Sequence, residues 1–218
     1  MIDFTRLSTI KSKHHSWVVN NFDKYGLGSY QTAGQIMKYL WKTQPKNIQE
    51  FFNKWNKAKK TRYTKFENVV LSVKRIKQCS LYEAVEIAFI GIFYNSYVGY
   101  RAEVEAMKYL ENKYNGECRK ADKELDNKFA VDLLFKKDNA IAAIQVKSER
   151  SRHNYTDTNY HKRNQRKNHM FELIYGHPVQ YLYYEYEYNS STLDFDIYFE
   201  GKPPRKSFQE LLEEKRGL

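Results

Sequence analysis

Cysteine, proline and glycine are scarce in this chain, and each shortage removes a class of architecture. Two cysteines, Cys79 and Cys118, cannot build a disulfide framework, and they supply no Cys pair for a zinc site. No Cys/His arrangement points to a thiol nucleophile, so both read as core fillers. The four prolines (Pro45, Pro178, Pro203, Pro204) and nine glycines form no Pro/Gly/Ser linker. Nor is there a glycine-rich phosphate loop, which argues against kinases, P-loop ATPases and Rossmann enzymes and leaves no nucleotide cofactor expected. Long apolar runs are missing too. The longest, Ala84 to Tyr94, contains Glu86 and is too short to cross a bilayer. The opening MIDFTRLSTIKSK has no apolar signal core. The expectation is a soluble, cytoplasmic protein with no membrane partner.

Acidic residues are also in deficit. Lys plus Arg number 37 against 26 Asp plus Glu, a formal net charge of +11 with a pI near 9.4. Such a surface suits a polyanion, because counterion release from phosphates is the main sequence-independent source of nucleic-acid affinity. At 218 residues the chain fits one domain, or one domain with a helical subdomain.

The hydrophobic period divides the chain. Residues 1 to about 115 read as helical. Ile36, Met37, Leu40 and Trp41 share a helical face, and Ile48, Phe51, Phe52 and Trp55 repeat the spacing after Pro45. Ser80 with Glu83 is a capping-box pattern for a helix from Leu81. From residue 129 the period shortens. Phe129 to Phe135 reads as a strand, Lys136-Lys137-Asp138-Asn139 as a turn, and Ala140 to Lys147 as the returning strand of a β-hairpin. A helix over Tyr160 to Tyr175 and strands at Val179–Tyr186 and Phe195–Phe199 complete an α/β (α+β) order. The expected organisation is a helical DNA-binding or dimerisation region over 1–95 and a catalytic core over 96–218.

Chemistry concentrates on the hairpin. Asp132 is followed, after twelve intervening residues, by Gln145-Val146-Lys147. Alternation along a strand points Gln145 and Lys147 the same way, with Asp132 close by on the neighbouring strand. A carboxylate, an amide oxygen and an ammonium would then converge. Asp132 can ligate Mg²⁺, a hard cation that takes oxygen ligands. The metal can acidify a bound water and neutralise charge on a scissile phosphate, while Lys147 orients that water and stabilises the transition state.

This D…QxK hairpin resembles the PD-(D/E)xK nuclease superfamily, which includes most type II restriction endonucleases, Holliday-junction resolvases and Mrr-type enzymes. The resemblance covers roughly residues 100 to 186. Val131 stands where the motif's name has proline, and Gln145 replaces the acid of (D/E)xK. The family's upstream helix reads like G-E-x-x-A-x-x-Y-L, and Tyr100 to Leu110 is similar, with Glu103 seven residues before Leu110. Glu103 shares a face with Met107 and Leu110, whereas Glu105 lies about 200° round the helix and is the weaker candidate. The resemblance implies a mixed central sheet flanked by helices. It further implies Glu103, Asp132, Gln145 and Lys147 as catalytic residues. Asp132, Gln145 and Glu103 would hold Mg²⁺, with Mn²⁺ able to substitute.

Downstream of the hairpin lies a candidate DNA surface: Arg150, Arg152, His153, Asn154, Tyr155, His161, Lys162, Arg163, Gln165, Arg166 and Lys167. Arg, Asn and Gln can read base edges, and Lys or Arg can grip phosphates. Lys54 to Lys65 and Lys74 to Lys77 read as backbone-gripping stretches, and Ser29 to Trp41 as ordinary helix packing. His161, Asn164, Asn168 and His169 are spaced too tightly for an HNH unit, and His14 and His15 carry no interpretable context. The expectation is a magnesium-dependent type II restriction endonuclease that dimerises on double-stranded DNA. A resolvase-like or Mrr-like nuclease, or a non-catalytic DNA-binding protein with a decayed nuclease fold, are the alternatives.

Overall fold

The computed structural model describes residues 2–22, 24–27, 30–57, 60–149 and 159–201. The chain is mixed α/β and divides into two compact units: residues 1–108 with 187–196, and residues 109–186 with the chain from 197 onward.

The first unit is built from helices α1 (Leu7–Asn21), α2 (Tyr30–Thr43), α3 (Ile48–Lys57), α4 (Lys60–Lys77) and α5 (Leu81–Phe89), continuing through a π-helical turn, Ile90–Tyr94, into α6 (Asn95–Tyr114). The stripes anticipated from sequence bury as expected: Ile36, Leu40, Ile48 and Phe51 lose all solvent exposure. Aromatic rings fill the centre. Phe51 stacks on Tyr97 at 5.8 Å between centroids, and Phe52 meets Phe89 edge-on at 5.1 Å. Such contacts add to the stabilisation from burial. Ser80 caps α5 by accepting the Glu83 N–H at 3.1 Å. The Glu83 carboxylate pairs with Lys77, so the box is closed on one side by an ion pair with the preceding helix. Buried His14 on α1 lies 2.8 Å from Glu86 on α5, a polar tie between two helices.

The five-stranded sheet has the order β1 (Glu117–Lys120), β2 (Leu133–Lys137), β3 (Ala140–Ser148), β4 (Gln180–Asn189), β5 (Asp194–Phe199). β1, β2 and β3 are antiparallel neighbours. β4 runs parallel to β3, and between them the chain passes through helix α8 (Asn159–Tyr175), as a parallel pair requires. The hairpin closes at Lys137↔Ala140, with Asp138 at a positive φ of 52° supplying the tight reversal.

Where the sequence suggested one strand over Phe129–Phe135, the chain divides into a helix end and a strand. Short helix α7 (Lys123–Phe129) starts at Asp122, whose carboxylate accepts the Glu124 and Leu125 N–H groups. It ends at Ala130 in the left-handed conformation (φ 56°), and the strand begins only at Leu133. Ala121, Phe129, Val131, Ala143, Phe171 and Val179 form a core cluster that joins α7 and α8 to one face of the sheet.

Candidate active site

Asp132 lies immediately before β2, and its position is fixed from three sides. Its C=O accepts the Ala121 N–H at 2.9 Å, and its own N–H donates to the Ile144 C=O at 2.9 Å. Leu133 is also the register partner of Ile144. Two residues therefore address one, as in a β-bulge, a device that re-aims side chains. The carboxylate follows: Oδ2 accepts the Val146 N–H at 2.8 Å. That amide lies between Gln145 and Lys147, so half-buried Asp132 is held beside both.

Gln145 and Lys147 share a face of β3, and in the parallel register they lie beside Tyr181 and Tyr183 of β4. Those two rings stack at 6.0 Å with an interplanar angle of 15°. Gln145 is only 2% exposed. Its Oε1 accepts from Nδ2 of Asn168 at 3.3 Å, and the same Asn168 amide also donates to the Tyr181 hydroxyl. The Asn168 Oδ1 is buried and has no hydrogen-bond partner. An unsatisfied buried acceptor is costly in a folded chain, so an oxygen left in this state beside a candidate metal ligand is informative. Asn164, one turn earlier on α8, is buried on the same side of the helix.

Asn168 was missed as a site residue because it sits in a run of lysine and arginine that reads as a solvated surface. The signal that could have found it is the i, i+4, i+7 spacing of Asn164, Asn168 and Phe171, which sets two amides on the helix's inward face.

Glu103 lies on α6 within the first unit and is half-buried, as is Met107, while Leu110 is buried. Glu105 is engaged by Arg101 and Lys108, each at 3.0 Å. Arg101 also approaches Asp194 at 3.3 Å. Burial pushes the Asp194 carboxyl above its ordinary range, opposed by Arg101, and Tyr97 donates its hydroxyl to Asp194 at 3.0 Å. Glu105 thus has a structural role in an ion-pair network. Among the described residues, no group of three or more His, Cys, Asp and Glu side chains is placed to hold a metal ion.

Of the candidate DNA-binding residues, Arg150, Arg152, His153, Asn154 and Tyr155 lie outside the described residues, as does the His161 side chain. Lys162, Arg163, Gln165 and Arg166 are exposed on α8. Lys167 is half-buried and donates to the backbone C=O of Asn127. Cys118 is buried, and its thiol is pushed up to about 12 by burial and then by nearby Glu111, which excludes it as a nucleophile near neutral pH. No helix among the described residues is long and apolar enough to cross a membrane. Compared with protein-family models, curated proteins and solved structures, the chain matches none.

Proposed function

We propose that the chain is a Mg²⁺-dependent DNA endonuclease of the PD-(D/E)xK type, acting as a type II restriction enzyme on a short double-stranded site. The observation that carries this reading is the Val146 N–H to Asp132 Oδ2 bond, which holds a carboxylate beside Gln145 and Lys147. A mixed sheet with helices α7 and α8 on one face agrees with what the resemblance implies at the level of architecture.

The donor chemistry suits Mg²⁺. Asp132 offers a carboxylate, Gln145 an amide oxygen, and the unpartnered Asn168 Oδ1 lies on the same amide that touches Gln145. These are hard oxygen ligands, and one carboxylate among amides makes a weak site that gains affinity from a substrate phosphate. Bound Mg²⁺ supplies an acidified water and offsets charge growing on the scissile phosphate. Lys147, next along β3 from the amide that holds the carboxylate, would supply an ammonium to orient the attacking water and stabilise negative charge in the transition state. Asn168 donates to the Gln145 oxygen and so fixes the orientation of that amide.

The test is a digest of unmethylated phage DNA with Mg²⁺ by wild type, Asp132→Ala and Lys147→Ala. Discrete fragments from wild type and none from either variant are expected. Smears would remove the sequence-specific reading, and preference for four-way junctions or methylated DNA would move the protein to the resolvase-like or Mrr-like class. The single carboxylate of the hairpin set favours one second reading, a DNA-binding protein with a decayed nuclease fold. Tight DNA binding that is indifferent to Mg²⁺ and never yields product identifies it.

A further inference from the structure

We propose that the groove between α7 and α8 is a clamp for the phosphodiester backbone of duplex DNA, with Lys128 and Arg166 among its phosphate contacts. The inference rests on the nuclease reading for its choice of polyanion. Its evidence is separate from the hairpin.

A cavity of about 490 Å³ opens here, lined by Lys128 of α7 and by Lys162, Arg163, Arg166, Lys167 and Met170 of α8. Among the described residues of the lining, five of six side chains are cationic and none is acidic. Folding does not account for the pattern. The spacing sets Lys162 above Arg166 and Arg163 above Lys167, like charges one turn apart, which weakens a helix. The cations also occupy the N-terminal half of α8, where the helix dipole favours negative charge, yet the first turn holds no acid and the last turn no base. A charge distribution opposed to the helix's own stability is explained by an anion that the groove receives. The partial positive charge of the helix start adds to the same field.

Dimensions agree with a nucleic-acid strand. From Lys162 to Arg166 the helix rises about 6 Å, and a DNA strand carries a phosphate about every 3.4 Å of axis, so the stripe spans roughly two phosphates. The lining favours gripping: Asn164 and Asn168 of α8 are buried, and the groove presents ammonium and guanidinium groups that can pair with phosphate oxygens. Lys128 was not marked from the sequence, because nothing local sets it apart from other lysines. It joins the cluster only because α7 packs beside α8. Its pair with Glu124 at 2.6 Å is exposed, and such a surface pair yields readily to a phosphate.

The test measures fluorescence anisotropy of labelled duplexes of two unrelated sequences, in EDTA, across a salt series. Wild type is compared with Lys128→Ala/Arg166→Ala and with Lys136→Ala/Lys137→Ala, which removes the same charge from the exposed end of β2. The groove variant should bind roughly tenfold more weakly on both sequences, with the slope of log K against log salt reduced by about 1 for each lost contact. The β2 variant should keep the wild-type slope. Equal slopes for the two variants, or a loss confined to one sequence, overturn the clamp. Because no metal is present, failure of the nuclease reading leaves this comparison intact. Failure of the clamp would appear as an unchanged slope in an enzyme that still cleaves.

Discussion

Asn168 illustrates how one side chain can set the properties of another. Its amide donates both to Gln145 Oε1 and to the Tyr181 hydroxyl, so the glutamine oxygen is held in one orientation under the sheet face. If that oxygen is a metal ligand, removing the donor should loosen it without unfolding the protein. Asn168→Ala is expected to lower kcat by about tenfold and to raise the Mg²⁺ concentration for half-maximal cleavage, with roughly 1 kcal/mol lost in urea unfolding. A purely structural role would lower stability and leave the Mg²⁺ profile unmoved. The companion substitution, Gln145→Glu, keeps the acceptor for Asn168 and adds a negative charge to the site. It should retain cleavage and require less Mg²⁺. A folded but inert Gln145→Glu protein would sink the idea that the amide stands in for an acid.

Elements explain what was legible beforehand and what was not. The stripes of Ile36 and Leu40, and of Ile48, Phe51 and Trp55, reported their helices because a 3.6-residue period survives whatever packs against it. The hairpin was legible because Asp138-Asn139 supplies turn chemistry between two apolar runs. β1 was not, since three of its four residues, Glu117, Arg119 and Lys120, are charged and only Cys118 is buried. Helix α7 was hidden because its stop signal is Ala130 in a left-handed conformation that glycine usually supplies. The hairpin members of the site could be read from alternation. Asn168 could not, because its contact with Gln145 depends on how α8 lies across the sheet. A different element-scale feature is open to test at the π-helical turn Ile90–Tyr94. A Cβ on Gly91 would stand 2.1 Å from the buried Phe22 ring, so the chain here approaches too closely for any side chain. Gly91→Ala should cost about 1–3 kcal/mol in urea unfolding, the usual penalty for overpacking. A loss below about 0.5 kcal/mol would mean that Phe22 moves aside and the close approach is not required.

At the scale of the whole molecule, the chain crosses from the first unit to the second within α6 and returns through residues 187–196, so neither unit is a simple stretch of sequence. The net charge of +11 belongs to the chain as a whole and would promote encounter with a polyanion such as the proposed DNA substrate. It does not decide how many strands are cut per encounter. Among the described residues there is one Asp132–Gln145–Lys147 set, and on the proposed nuclease reading one set would cut one strand at a time. Cutting both strands in one event therefore takes two copies of the chain, and a two-fold dimer matches the symmetry of a palindromic site. Conversion of a supercoiled plasmid with a single site, at enzyme in excess over DNA, distinguishes the alternatives. A dimer should take supercoiled circles to linear product with little open circle accumulating, and dilution below the dimer's dissociation constant should bring the nicked form forward. Open circle that accumulates first at every enzyme concentration would show that the chain cuts one strand at a time as a monomer, and the dimer would have to be given up.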